Sequence, residues 1–170
     1  MIYPHIVDLL NKHKIPFREI SHEASTSCEH SRTLREFVWM EWAWSKNIVF
    51  HAKGKFYLVT TLGDNEIKAR NFKHEFGTKD IRFASQDEIT KVIWATIGSI
   101  PPFGFENSDI PIFVDSNIFT YDSFCFNPWI SDKSIQISTG DLQKIYTLLK
   151  NPVILFTFQN EMKKFTPLEK

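Results

Sequence analysis

The chain of 170 residues suits one compact domain, and its 42% hydrophobic and 24% charged residues are the composition of an ordinary globular protein. Its 20 basic side chains balance its 20 acidic ones, so the formal net charge is zero. A neutral protein binds nucleic acid only through a local basic patch, which excludes a general nucleic-acid coat protein. The 16 phenylalanines and five tryptophans are enough to build a sizeable core.

The cysteines and the N-terminal segment favour a cytoplasmic protein. Cys28 and Cys125 are far apart in the sequence and lie outside any C-x-x-C motif, so we expect no disulfide framework. The N-terminal segment carries charged residues and no long apolar run, which argues against a signal peptide. No stretch approaches the roughly 20 apolar residues of a membrane-spanning helix, and we expect no membrane partner.

The first half of the chain alternates helical and extended patterns. A T-x-x-E pattern at Thr26 is typical of a capping box, and two β-branched and aromatic runs around Gly54 are typical of a hairpin. The aromatic stretch over residues 38–44 fits either core packing or a lid. The elements predicted here are a helix over about residues 4–13, a strand over 17–21, a helix from Thr26 towards Phe37, and hairpin strands over 47–51 and 56–61.

The second half mixes the two patterns again, and its helices carry clear end signals. Gly77 suits a helix end, and Ser85 and Ser138 suit helix starts. Two prolines exclude a regular helix or a central strand between Gly98 and Gly104. The elements predicted here are helices over 66–76, from Ser85 to Ile93 and after Ser138, and strands over 112–115, 121–127, 134–138 and 153–158.

Helices and strands do not alternate in a strict βαβ order. We therefore predict an α+β fold with a mixed, twisted sheet or barrel flanked by helices. The predicted domain covers residues 1–150, and residues 151–170 form a C-terminal tail that packs on the domain or extends it.

The sequence lacks the motifs of several common catalytic, metal-binding and nucleotide-binding sites. The sequence has no H-E-x-x-H, no G-x-S-x-G elbow, no Walker loop and no dinucleotide fingerprint. Cys28 and His30 are close in sequence, but side chains two positions apart on a helix point in different directions. We expect neither a metal nor another cofactor.

Two features could carry chemistry, although each alone also has an ordinary explanation. Lys46 precedes an apolar strand, where lysines are usually solvated edge residues. A G-x-x-x-P segment runs from Gly98 to Pro102, and a segment of this composition is usually only a turn. We call residues 98–102 the glycine loop.

Short motifs follow one another along most of the chain in a defined order. They are Thr26-Ser27-x-Glu29, Lys46-Asn47-Ile48-Val49, Asp64, Phe83-Ala84-Ser85-x-x-Glu88-Ile89 and Gly98-Ser99-Ile100-Pro101-Pro102-Phe103-Gly104, followed by Val114-Asp115 and Asp141-Leu142. This ordered set resembles the YbaK/ProX family of aminoacyl-tRNA deacylases, which are related to the editing domain of bacterial prolyl-tRNA synthetases. The resemblance spans roughly residues 3–150, and the segment from Gly98 to Gly104 is its most specific part.

The resemblance implies a metal-independent hydrolase that cleaves the ester of a mischarged aminoacyl-tRNA, with a small amino acid on tRNA for proline as the expected substrate. Its partners would be the acceptor end of tRNA and a synthetase, not DNA. A catalytically weak or inactive member that binds aminoacyl-tRNA or a synthetase is the alternative function. Lys46 would be the catalytic residue, and the substrate-binding residues would be Gly98, Ser99, Ile100, Pro101, Pro102, His22, Thr26, Ser27 and Asn47.

Two expectations follow for the geometry of this site. Lys46 and the glycine loop should face one another across a single cleft, because both must reach the same ester. Trp94 and Trp129 stand where many members of the resembled family have glycine, so we expect them to reshape the pocket.

Overall fold

The computed structural model describes residues 2–22, 42–159 and 162–170. The α-helices in these ranges are α1 (Ile2–Lys12), α2 (Gln86–Ile93) and α3 (Thr139–Leu148). The strands are β1 (Arg18–Ser21), β2 (Trp42–Ala52), β3 (Lys55–Leu62), β4 (Ile81–Phe83), β5 (Ile112–Asp115), β6 (Ser123–Phe126), β7 (Lys133–Ser138), β8 (Val153–Gln159) and β9 (Met162–Pro167).

The strands form one mixed sheet in the order β1-β7-β6-β2-β3-β5-β8-β9, and β4 pairs with β2 outside this order. The pairs β2–β6, β3–β5 and β5–β8 are parallel, and the other pairs are antiparallel. The predicted α+β class with a mixed sheet and flanking helices is confirmed. Residues 151–170 contribute β8 and β9 to one end of the sheet.

The two edges of β2 are paired differently. β3 runs along one edge, from Ser45 to Ala52. On the other edge, β6 pairs with residues 42–44 and β4 pairs with residues 50–52. Within the described ranges, no strand pairs with residues 45–49 on that second edge, which leaves an open stretch of strand at Lys46 and Asn47.

The sheet carries a different core on each face, because successive residues of a strand point to opposite sides. Val49 and Leu58 belong to the larger core, which the apolar residues of all three helices cover. Phe50 and Tyr57 belong to a smaller aromatic core on the other face. The members of that aromatic core are Phe50, Ala52, Tyr57, Val59, Phe72, Phe76, Phe113 and Phe156.

The local signals for helix starts and for the hairpin are confirmed. The Ser85 hydroxyl accepts a hydrogen bond from the Glu88 N–H at the start of α2, and the Glu88 carboxylate accepts one from the Ser85 N–H. The Ser138 hydroxyl caps α3 by accepting from the Asp141 N–H. β2 and β3 form the predicted hairpin, and their strands extend to Ala52 and Lys55, which pair with each other.

The helix predicted over residues 66–76 is wrong. The structure has only a 3-10 turn, Ala69–Phe72, followed by hydrogen-bonded turns as far as Gly77. Ile67, Phe72 and Phe76 all pack at the aromatic core, but the five-residue step from 67 to 72 does not fit the helical period. Packing against the sheet therefore determines the path of this segment.

Two strands, β4 and β9, were not predicted. β4 has only three residues and gives no alternating pattern, while β9 contains two lysines, as is common for an edge strand. The helix predicted from Thr26 towards Phe37 lies outside the described residues. In the ranges that are described, no helix is long and apolar enough to span a bilayer.

Candidate active site

Asn47 attaches the glycine loop to the sheet. Its Nδ2 donates to the Ile100 carbonyl oxygen over 2.8 Å, and its Oδ1 accepts from the Thr60 hydroxyl over 2.8 Å. Thr60 is fully buried on the adjacent strand, so the amide is held from behind while it holds the loop in front. The structure thus brings together two of the predicted substrate-binding elements, Asn47 and Ile100.

The glycine loop is shaped by one glycine and two prolines. Gly98 has φ of +91°, a conformation that favours glycine, and the N–H of Ser99 donates to the Thr96 carbonyl oxygen over 3.0 Å. Pro101 and Pro102 are buried and have no N–H to donate. The N–H groups of Gly98 and Ile100 therefore remain as the loop's candidate donors to a ligand.

Lys46 points away from the glycine loop, which contradicts the expectation that the two face one another. Ile100 packs in the larger core, on the face to which Asn47 points. Lys46 lies on the other face, where Thr61 is its neighbour across the strand pair, and its Nζ donates to the Asn65 carbonyl oxygen over 3.0 Å. The expectation was wrong because adjacent residues of a strand alternate, and the side chain that meets the loop is the next one, Asn47.

The buried carboxylate of Asp115 holds Asn65, whose carbonyl oxygen accepts the hydrogen bond from Lys46. Asp115 is only 3% exposed, and its Oδ2 accepts from the Thr61 hydroxyl over 2.7 Å and from Asn65 Nδ2 over 2.9 Å. Its Oδ1 accepts from the Asn117 N–H over 3.0 Å. This network could not be predicted from the sequence, because its members come from three separate segments that are joined only by contact across the sheet.

The remaining predicted site residues are His22, Thr26 and Ser27, and the structure describes only the first of them. His22 follows β1, and its Nε2 lies 3.0 Å from the Ser134 hydroxyl on β7. Thr26 and Ser27 lie outside the described residues, so their predicted roles stay predictions. In the portion of the chain that is described, no three His, Cys, Asp or Glu side chains form a group that could hold a metal ion.

The helix that leads into the glycine loop is fixed at its start by an ion pair. Arg82 on β4 donates to both carboxylate oxygens of Glu88, over 2.8 and 2.7 Å. Hydrogen bonds from Arg82 and from the Ser85 N–H lower the pKa of Glu88 to about 2. Glu88 is therefore ionised at neutral pH and serves to position α2 on the sheet.

The family to which this chain belongs is shown by a match to a known family profile. A profile described as the aminoacyl-tRNA editing domain matches residues 27–145 of the chain. The chain belongs to this family. The family resemblance that we inferred from the motifs is thereby confirmed, together with the predicted class of function, the editing of aminoacyl-tRNA.

Relatives of this editing domain are similar over different shares of their length. The prolyl-tRNA editing protein ProX of Acetoanaerobium sticklandii is 29% identical over 98 residues, which are 55% of this chain and 60% of ProX. The multifunctional Ser/Thr-tRNA deacylase ProXp-y of Escherichia coli K12 is 26% identical over 145 residues, which are 82% of this chain and 85% of that protein. The chain thus spans less than two thirds of ProX.

A solved structure has the same fold as this editing domain. It is described as a candidate trans-editing enzyme for prolyl-tRNA synthetase, and it superimposes with a TM-score of 0.69 at 18% identity. The superposition covers 89% of this chain and 93% of that one. At this identity the match supports the fold alone.

Both tryptophans that depart from the pattern of the resembled family hold glycine-like backbone conformations. Trp94 has φ of +57° and Trp129 has φ of +76°. Trp129 is half-buried, packs against the larger core, and its N–H donates to Asn127 Oδ1 over 2.8 Å. Trp94 is 71% exposed. The backbone expected for glycine is therefore kept at both positions, although each carries the largest side chain.

We expect Asn47→Asp to loosen the glycine loop of this editing domain. The substitution replaces the Nδ2 donor by an oxygen that repels the Ile100 carbonyl, at a cost of about 1–3 kcal/mol in the free energy of unfolding. Hydrogen exchange should become faster at the amides of residues 96–104. Thr60→Val is the matched control, since it removes a bond to the other end of the same amide and leaves the bond to the loop. Equal exchange in the loop of both variants would contradict the role given to Asn47.

Proposed function

We propose that this chain acts in trans as an editing hydrolase that cleaves the ester between a small amino acid and tRNA for proline. Membership of the editing family and the names of ProX and ProXp-y support the reaction and the substrate class. The single structural observation that carries the proposal is the hydrogen bond between Asn47 and the Ile100 carbonyl oxygen. It fixes a loop with N–H donors against a side chain of β2.

The glycine loop would hold the ester carbonyl. Donors that are fixed before the reaction stabilise the negative charge of a tetrahedral intermediate without reorganising. The N–H of Ser99 is already bonded to Thr96 and the two prolines have no N–H, so the N–H groups of Gly98 and Ile100 would donate to this carbonyl. Asn47 would act as a positioning residue, because its amide is already used by the loop, Ser45 and Thr60.

Lys46 would bind a phosphate of the terminal nucleotide rather than the ester carbonyl. Its side chain lies on the face opposite to the glycine loop, so its ammonium group does not meet a carbonyl held there. Among the residues that the structure describes, no strand pairs with this part of the β2 edge, and a nucleotide crossing that edge would reach Lys46 on one face and the loop on the other. A lysine is a suitable point charge for a phosphate.

Water would be the nucleophile, positioned by the free hydroxyl of the terminal ribose. An aminoacyl ester is already activated, so correct orientation and stabilisation of the oxyanion supply most of the required acceleration. Neither the Asn47 amide nor the backbone of the glycine loop can act as a general base, which is consistent with help from the substrate.

The acceptor end of tRNA is the proposed partner, and a prolyl-tRNA synthetase is the second. The solved structure that shares the fold is described as acting for such a synthetase. We also propose that the protein acts in the cytoplasm.

Deacylation of a panel of mischarged tRNAs tests the proposal. The panel contains tRNA for proline charged with alanine, cysteine or serine, together with tRNA for alanine charged with alanine. We expect faster hydrolysis than in buffer for at least one small amino acid on tRNA for proline. Binding of the panel without any hydrolysis would instead establish the alternative, a non-catalytic tRNA-binding member of the family.

We expect the hydrolysis to survive treatment with EDTA. The catalytic groups proposed here are backbone N–H donors and a lysine, which do not depend on a metal ion. The measurement is the single-turnover rate before and after chelation, with a known zinc hydrolase as the positive control. Loss of activity that returns on addition of zinc would refute the expectation.

A further inference from the structure

The segment between α2 and the glycine loop exposes two large apolar side chains. Trp94 is 71% exposed and Ile97 is 59% exposed. Gly98, the first residue of the glycine loop, follows Ile97 directly. Because most of the Trp94 side chain remains in water, its apolar surface contributes little to the stability of the fold.

The backbone conformation of Trp94 is a second indication that this exposed side chain has a role outside folding. Trp94 ends α2 in the left-handed conformation, with φ of 57° and ψ of 27°, and its N–H donates to the Thr90 carbonyl oxygen. Glycine is the residue usually found at such a helix end, because a Cβ disfavours the conformation. A bulky side chain that is disfavoured by the backbone and buries little surface indicates a role outside folding.

Hydrogen bonds to α2 hold the backbone segment that follows Trp94. Gln86, in the first turn of α2, donates to the Ala95 carbonyl oxygen over 3.1 Å and accepts from the Ile97 N–H over 2.8 Å. The Thr90 hydroxyl also bonds to Gln86, over 2.8 Å. The backbone segment after α2, which begins with Trp94, is therefore tied to the start of the same helix.

A positive charge accompanies the exposed ring. Lys91 is exposed in the last turn of α2, three positions before Trp94 in the sequence. An aromatic ring with a neighbouring cation is the arrangement that binds single-stranded nucleic acid, where a base stacks on the ring and a phosphate meets the cation.

We propose that Trp94 is a stacking platform for an unpaired base of the tRNA acceptor end, with Lys91 facing the adjacent phosphate. The inference rests on the proposed function, since it is the ester held by the glycine loop that would bring the unpaired 3′ end next to Trp94. Stacking at this point would fix the single strand just before the terminal nucleotide enters the site.

The test measures RNA binding without any hydrolysis. The probe is a fluorescently labelled acceptor-stem duplex with an unpaired 3′-CCA end, compared with the same duplex without the unpaired nucleotides. Trp94→Gly is the decisive variant, because glycine suits the left-handed position and the fold is kept. Trp94→Phe keeps a ring, and Tyr121→Ala removes another exposed aromatic side chain as a matched control.

We expect the wild type to bind the duplex with the CCA end more tightly than the blunt duplex. Trp94→Gly should weaken binding to the CCA end about tenfold and leave the blunt duplex unaffected, whereas Trp94→Phe and Tyr121→Ala should stay within about twofold of wild type. Equal binding of the two duplexes by wild type, or unchanged binding by Trp94→Gly, would overturn the inference and leave a protein partner as the occupant of this surface.

The failure of this inference can be distinguished from the failure of the proposed function. If no mischarged tRNA is hydrolysed but binding of the CCA end depends on Trp94, the stacking platform stands and the hydrolase does not. If hydrolysis occurs while Trp94→Gly leaves both binding and rate unchanged, the hydrolase stands and the platform does not.

Discussion

Gly104→Ala is expected to lower the free energy of unfolding by about 2–5 kcal/mol, a large part of the stability of a domain of this size. Gly104 has φ of +92°, and a Cβ at this position would lie 2.4 Å from Cγ1 of Ile6. The left-handed backbone costs roughly 1–2 kcal/mol with a side chain, and the forced repacking costs about 1–3 kcal/mol more. Ile6 is fully buried, so it has no free space into which to move.

The measurement for Gly104→Ala is urea unfolding followed by circular dichroism. Gly98→Ala is a matched control, since Gly98 has φ of +91° but a Cβ added there would meet nothing within 4 Å. It should lose only the backbone contribution. A second substitution, Ile6→Ala, removes both atoms nearest to the added Cβ, Cγ1 and Cδ1, and should make the double variant more stable than the sum of the two single changes. Equal losses for Gly104→Ala and Gly98→Ala would show that the contact with α1 is not tight.

Local signals determined which parts of the fold could be predicted. The serine caps of α2 and α3 and the glycine turn between β2 and β3 depend on residues within a few positions, so the sequence contains the whole signal. The segment around Phe72 failed because its path depends on aromatic rings from distant strands. The same limit applies to β9, which forms only against β8.

The sequence indicated candidate members of the site, but their geometry could not be predicted from it. The resemblance of short motifs indicated both Lys46 and the glycine loop, yet the face to which each strand residue points depends on pairing with β3. The register places Asn47 at the loop and Lys46 opposite Thr61. The support from Asp115 through Asn65 could not be predicted, because the three segments meet only after the sheet has formed.

Lys46→Ala is expected to lower the rate of deacylation by about 10²-fold, because the terminal nucleotide would lose the charge that holds its phosphate and positions its ester at the glycine loop. The stability should change by less than about 1 kcal/mol, because the half-buried side chain makes one described hydrogen bond, to the Asn65 carbonyl oxygen. Lys46→Arg should restore only part of the rate, since the longer, planar guanidinium does not fit the place of an ammonium group held 3.0 Å from the Asn65 carbonyl oxygen.

Lys55→Ala is the matched control for the loss of charge. Lys55 is exposed at the far end of the same hairpin, where it pairs with Ala52, and its loss should leave the rate within about twofold of wild type. A general loss of attraction for RNA would slow both variants equally. A specific contact between Lys46 and the terminal nucleotide would slow only Lys46→Ala.

The single-turnover rate of Lys46→Ala on tRNA for proline charged with a small amino acid tests the central claim most directly. The enzyme is held in excess over the charged tRNA, and circular dichroism confirms the fold of each variant. We predict measurable hydrolysis by wild type and by Lys55→Ala, and a loss of about 10²-fold for Lys46→Ala. Hydrolysis by Lys46→Ala at the wild-type rate would contradict the claim that this edge of β2 is the catalytic site.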